Sequence, residues 1–306
     1  MKKILLVILA FTPALFAADQ GFRLNAGKCI GPTGTEGFNP AYQGECGDLH
    51  GMDLTKEILK SANLRGANLS GADLTKVDLT NADLQNAILD DATLVGLTLT
   101  NTILFNASLK GANLTSTTAT NAILRGVDLT KATLKQVTFN NVDLQGATLT
   151  GANMDTISIS GSNLSQAKLD SAVLTNAFVD NCFLIRTNLS NTDVSQTHLN
   201  GNDQRGAIYT GTFGTETTFG GSRFYTANFT NAKLAGASFD QTDLQNTNLT
   251  GADFTGADFA RADFRNSRAA TAILTGATLQ GALFSSGTKL PFTKDDATKQ
   301  GMVFIQ

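Results

Sequence analysis

Between residues 49 and 284 large apolar side chains fall at every fifth position without a shift of frame, and small ones fall two positions before them. In SANLRGANLSGADLTKVDLTNAD, residues 61–83, the unit centres (position i) are Leu64, Leu69, Leu74 and Leu79, with Ala62, Ala67, Ala72 and Val77 at i−2. Asn or Asp fills i−1, and Gly, Lys or Asn closes the unit at i+2. About 48 such units follow one another, and only Ala119, Gln204, Tyr209, Gly214 and Ala269 replace the usual Leu, Phe, Ile, Val or Met at i. A period of five matches neither the 3.6-residue repeat of a helix nor the sustained alternation of a strand. A fixed short period of this kind predicts a solenoid, which grows by stacking and needs no closed globular core.

Strand side chains alternate, so i and i−2 point to the same side of a short extended segment, and i−1 and i+1 point to the other. The large and the small apolar residue therefore face inward together. Gly or Asn at i+2, as at Gly66, Gly71, Asn81 and Asn86, tolerates the dihedrals of a tight corner. Four corners close a square coil of 20 residues, and coils stacked at the strand spacing of about 4.8 Å give a rod of about 12 coils and about 55 Å.

The run ANLRG-ANLSG-ADLTK-VDLTN resembles the pentapeptide-repeat family, whose units follow A(D/N)LXX. The resemblance covers about three quarters of the chain. It implies an all-β solenoid, a right-handed quadrilateral parallel β-helix, and the hand agrees with the general preference of parallel crossovers. It does not imply one function. Some members imitate the shape and charge of duplex DNA and modulate topoisomerases, a role that needs a cytoplasmic, strongly anionic rod.

Within the array, NGNDQRGAIYTGTFGTETTFGGS (residues 200–222) loses apolar centres at Gln204 and Gly214, puts Asn202 at i−2 and Phe213 at an outward position. The frame resumes at Phe219 and Phe224, so this stretch is either a degenerate coil or an excursion of a whole number of units, with Tyr209 and Phe213 as candidate loop contacts. Beyond it the centres turn aromatic at Phe219, Phe224, Phe229, Phe239, Phe254, Phe259 and Phe264, rings expected to fill the tube.

Both ends depart from the repeat. Residues 1–18 combine the basic Met1-Lys2-Lys3, an apolar run from Ile4 to Phe16 too short to span a membrane, and small residues at Ala17 and Ala18, the pattern of a cleaved signal peptide. The mature chain is then exported, periplasmic or extracellular, with no transmembrane segment. Residues 19–48 read as an amino-terminal cap, in which Cys29 and Cys46 can pair in an exported protein; two free thiols are the alternative. Residues 285–306 read as a carboxyl-terminal cap, with a short helix begun by Thr293 and Asp296 and stopped at Gly301.

Charge and chemistry exclude more than they select. With 23 basic and 26 acidic residues the formal charge is −3, and no basic footprint for nucleic acid is present. His50 and His198 are the only histidines and lie far apart, so neither a metal cluster nor a histidine-based nucleophilic site is expected, nor any cofactor. Asp243 and Asp263 stack on one face with Arg205, Arg223 and Arg265, ingredients also found in polysaccharide-cleaving β-helices, but regular five-residue corners build no cleft. No catalytic residues are expected.

Two sets of outward columns stand out. One face carries Ile103, Phe105, Ile123, Phe183, Ile185, Tyr225 and Leu283 beside Arg125 and Arg205, a candidate contact patch for a protein, an envelope component or a second copy of the chain. An adjacent face carries Thr98, Thr118, Thr138 and Ser158 at i−1 with Thr80, Thr100, Thr120, Asn140 and Ser160 at i+1, a ladder resembling ice-binding faces, although Thr suits strands in any case.

Overall fold

The computed structural model describes the backbone of residues 23–25 and 28–30 and the chain from 48 to 306. Strands β1 (Arg23–Asn25) and β2 (Lys28–Ile30) pair antiparallel. The expected signal peptide over 1–18, the rest of the 19–48 cap and the Cys29–Cys46 pairing lie outside the described residues.

From residue 48 the chain winds as a right-handed quadrilateral β-helix. On all four faces the i−1 residue pairs in parallel with the i−1 residue 20 positions later, as in Asp48↔Asn68, Asp53↔Asp73, Asn63↔Asp83 and Asp78↔Thr98. Buried backbone N–H groups must find partners, and in a turning unit with Asp or Asn at i−1 all five have one. At i and i+2 they reach forward to the next coil, as in Leu64 N to Asp83 O (2.7 Å) and Gly66 N to Gln85 O (2.8 Å). At i−1 they reach back, as in Asp83 N to Ala62 O (2.9 Å), and at i−2 they close the turn, as in Ala67 N to Leu64 O (3.1 Å). The fifth, at i+1, is taken by the i−1 side chain: Thr75 N donates to Asp73 Oδ1 at 2.9 Å, and the Thr75 hydroxyl joins it at 2.6 Å. This is the physical reason for Asp or Asn at i−1, which the outward direction of that position alone does not reveal.

On one face the chain straightens into three-residue strands, β3 (Thr118–Thr120), β4 (Thr138–Asn140), β5 (Ser158–Ser160) and β6 (Phe178–Asp180), stacked in parallel with i−1 held by Thr, Ser or Phe. Straightening removes the turn bond at the following corner, and after β4 and β6 a side chain of the next coil replaces it. Val142 N donates to Ser162 Oγ (3.0 Å) and Cys182 N to Asn202 Oδ1 (2.7 Å); one coil on, Asn202 N donates to Ser222 Oγ (3.1 Å).

Nearly every corner places i+2 in the left-handed region, and many residues there are neither Gly nor Asn, including Thr156 (φ 58°) and Thr226 (φ 61°). A β-branched residue is strained in that region by roughly 1–2 kcal/mol. Thr226→Gly is therefore expected to raise stability, by about 0.5–1 kcal/mol after the extra unfolded-state entropy of glycine, read as a higher urea midpoint at unchanged slope.

The core is one continuous column of i and i−2 side chains, from Leu49 to Phe284. The ladder runs unbroken through Asp203↔Arg223, Ile208↔Asn228 and Phe213↔Lys233, so residues 200–222 are a coil of the rod and not a loop. Tyr209 is 0% exposed, which corrects its reading as a loop contact: its ring stacks on Phe229 at 4.7 Å and its hydroxyl donates to Gln204 Oε1 inside the tube. The aromatic centres then stack coil on coil, Phe219 on Phe239 at 4.7 Å and Phe239 on Phe259 at 4.9 Å, with edge-on contacts between faces.

At the carboxyl end the register slips by one residue, Arg268 pairing with Lys289, as the chain leaves the repeat after Ser285. Helix α1 (Lys294–Lys299) starts at Thr293, whose hydroxyl accepts from Asp296 N, and ends in a Schellman arrangement, with Met302 N to Ala297 O (3.1 Å) and Gly301 N to Thr298 O (3.0 Å). The chain then returns as β8 (Val303–Phe304) to pair in parallel with β7 (Leu283–Phe284), and buried Ala297 and Met302 close the core.

Candidate interaction face

The face centred on Leu104, Leu124 and Leu184 displays the expected apolar side chains, because i−1 and i+1 project outward from a straight segment. Phe105, Ile123, Phe183 and Tyr225 are exposed, at 40%, 39%, 52% and 45%, whereas Ile103 and Ile185 are half-buried. Ile103 and Ile123 are ladder neighbours, and Phe105 sits on the same coil as Ile103, so these three form one cluster. Phe183 and Ile185 form a second, separated from the first by Asp143 and Asn163 in the intervening coils, and Tyr225 stands apart beyond Asp203 and Arg205. The structure thus divides the expected patch into two apolar clusters with polar ground between them.

Ion pairs punctuate this face, one of them, Arg125 with Asp143, between the two clusters. Arg65 reaches Asp83 at 2.9 Å, Arg125 reaches Asp143 at 3.7 Å, Arg205 grips Asp203 at 2.7 Å and Arg265 grips Asp263 at 2.6 Å. The Arg205 and Arg265 forks engage both carboxylate oxygens, so Asp263, stacked beside Asp243 as the sequence predicts, is paired with a guanidinium. For Asp203, burial pushes the carboxyl up, but hydrogen bonds from the Arg205 side chain and backbone outweigh it and hold the group below the usual carboxylate range. A depressed folded-state pKa supplies stability that is present above the unfolded value near 3.8 and is lost as pH falls through the folded one. Asp203→Asn is accordingly expected to flatten the fall in melting temperature on acidification below about pH 4. An equally steep fall in the variant would show that other carboxylates carry it.

Phe213 is 43% exposed on the opposite face, on a regular coil between Asp193 and Lys233, and Ile58, Ile88, Val173, Phe178, Ile208 and Ile273 are also exposed, on the other three faces. Phe178 stacks on His198 at 4.6 Å and nearly parallel. Among the described residues no group of His, Cys, Asp and Glu could hold a metal ion, and no helix is long and apolar enough to cross a membrane. Cys182 is buried at i−2, where burial pushes its thiol up to about 11.

The sequence reading missed the structural duty of Ser162, Asn202 and Ser222. Their signal was their shared i−2 column at 20-residue spacing, visible once the coil length is known. On the neighbouring face the hydroxyls of Thr98, Thr100, Thr118, Thr120 and Thr138 carry no hydrogen bond to a described residue, whereas Thr55, Thr75, Thr130 and Thr230 bond the Asp or Asn two residues before them.

The profile of the family described as pentapeptide repeats matches residues 48–130, 138–201 and 215–286 in overlapping segments, skipping the coil that holds Gln204 and Tyr209. Among solved structures, HetL, a pentapeptide repeat protein involved in heterocyst differentiation regulation in the cyanobacterium Nostoc sp. strain PCC 7120, is 29% identical. The match covers 75% of this chain and 92% of HetL, with a TM-score of 0.44. QnrB1, a plasmid-mediated fluoroquinolone resistance protein, is 20% identical over 64% of this chain and 88% of its own, with a TM-score of 0.41. A pentapeptide repeat protein of the Arabidopsis thaliana thylakoid lumen is 30% identical over 38% of this chain and 70% of its own, with a TM-score of 0.14. No curated protein matches.

Proposed function

This chain belongs to the pentapeptide-repeat family, and from that premise we propose that it is an exported, non-enzymatic rod that binds a protein of the cell envelope or surroundings through the Phe105 and Phe183 face. The observation that carries the reading is the pairing of two exposed apolar clusters on one flat face with charges already neutralised by their neighbours. A partner can cover such a face without leaving buried ions unpaired. Export is supported by the basic, apolar and small-residue segments of positions 1–18.

Phe105→Ser with Phe183→Ser is expected to abolish association with the partner, or self-association, while leaving the unfolding free energy within about 1 kcal/mol of the original, as substitutions on an exposed face do. Association unchanged in the double variant would remove this face from the account. The DNA-mimic reading predicts unprocessed protein in the cytoplasm, so cell fractionation separates the two. The ice-binding reading of the Thr98, Thr118 and Thr138 face predicts thermal hysteresis, and its absence disposes of it.

A further inference from the structure

The largest departure from the repeat is at the carboxyl-terminal cap, where the one-residue slip between Arg268 and Lys289 opens the side of the last coil. A cleft of about 310 Å³ lies there, with Phe284, Phe292, Leu290 and Phe304 among its lining and Lys289 and Lys294 also on its wall. Its size falls at the lower end of the range for small-molecule sites. The apolar floor is firm: Phe284 is buried, Phe304 packs against it with ring centroids 5.4 Å apart, and Phe292 and Leu290 lean on the core from above.

Its cations are unspent. Most basic residues on the flanking coils are ion-paired, such as Arg261 with Asp240 and Arg265 with Asp263, and in the cap Lys299 pairs with Asp296. Lys289 and Lys294 have no ion-pair partner among the described residues, nor has Arg268, the ladder neighbour of Lys289. Lys294 instead places its ammonium 3.3 Å from the centroid of the Phe304 ring, a cation–π contact that an anion in the cleft can join without displacing it. Two lysines without ion pairs on the wall of an aromatic-lined cleft, one of them over the Phe304 ring, on a chain whose net charge is −3, are complementary to a ligand with an anionic head and an apolar body.

We infer that this cleft is a binding site for a small amphipathic anion, a carboxylate carried on an aromatic ring system or a short acyl chain. The carboxylate lies between Lys289 and Lys294, and the apolar part lies against Phe284, Phe292 and Phe304. The site is independent of the Phe105 and Phe183 face, which is on the side of the rod several coils away.

Titrating sodium 2-naphthoate into the full chain by isothermal calorimetry tests it. One saturable site per chain is expected. Lys289→Glu and Lys294→Glu should each weaken it at least about tenfold, and Lys233→Glu, on a distant lysine, should leave it unchanged. The neutral analogue 2-naphthylmethanol should bind at least about tenfold more weakly than the carboxylate. No saturable heat up to millimolar ligand, equal affinity in the cleft variants and the original, or equal affinity for the neutral analogue each overturns the proposal. Circular dichroism melts of the exposed-lysine variants verify that the fold is retained.

Discussion

Gly214→Leu, which restores the apolar centre the repeat demands, should destabilise the rod by about 2–3 kcal/mol rather than stabilise it, the magnitude of forced overpacking. A Cβ at Gly214 would stand 2.8 Å from both Ser195 N and Val194 C, backbone atoms of the preceding coil that have no rotamer by which to move aside. Its φ is not left-handed, so sterics and not dihedral strain decide the sign. The Thr217 hydroxyl, 3.0 Å from the same Cβ, closes the site further, and the centres on either side of Gly214 in its coil, Tyr209 and Phe219, are large and fully buried. Gly214→Ala isolates the first carbon of the clash; a urea midpoint equal to or above that of the original chain would refute the close approach.

Asn202→Ala should lower stability by a comparable amount, about 2–4 kcal/mol, because two buried backbone groups lose their partners and each is worth about 1–3 kcal/mol when left unsatisfied. Its carboxamide oxygen accepts from Cys182 N at 2.7 Å, and its amide donates to Val179 O at 2.6 Å, both in the preceding coil. Asn202→Ser should recover part of the loss, since Ser222 serves the same corner one coil later, accepting from Asn202 N and donating to Leu199 O at 2.8 Å. Asn202→Leu, favourable by hydrophobicity alone, should be as damaging as alanine. Equal urea midpoints for the serine and alanine variants would mean that the hydrogen bonds do not decide stability at this corner.

These two positions depend on packing between coils and not on the repeat itself. The inward and outward alternation of Leu64, Ala67 and Leu69, the corners at Gly66 and Asn81, and the Thr293 cap follow from single-residue properties and a fixed period, so they are legible without coordinates. Asn202 and Gly214 obey neighbours 20 residues away in the sequence, and a pattern read along the chain shows them only as violations. The Tyr209 hydroxyl is of the same kind: it is tolerated inside the tube because Gln204 is its partner. On the surface, sequence fixes which columns point outward, and hence the Phe105 and Phe183 face. It does not show that Arg125 and Arg205 are absorbed by Asp143 and Asp203, nor that Ile103 and Ile185 lie half-buried. The cleft beside Lys289 was illegible for a different reason, since it arises from a one-residue slip in register that only the pairing of Arg268 with Lys289 reveals.

Site-specific photocrosslinking in the producing cells tests the central claim most directly, with a photoreactive residue placed singly at Phe105, at Phe183 and, on the opposite face, at Lys135. A binding rod that works through one face predicts the same discrete adduct from positions 105 and 183, on processed chain in the exported fraction, and none from position 135. Adducts of equal yield from all three positions, or none from 105 and 183, would contradict it.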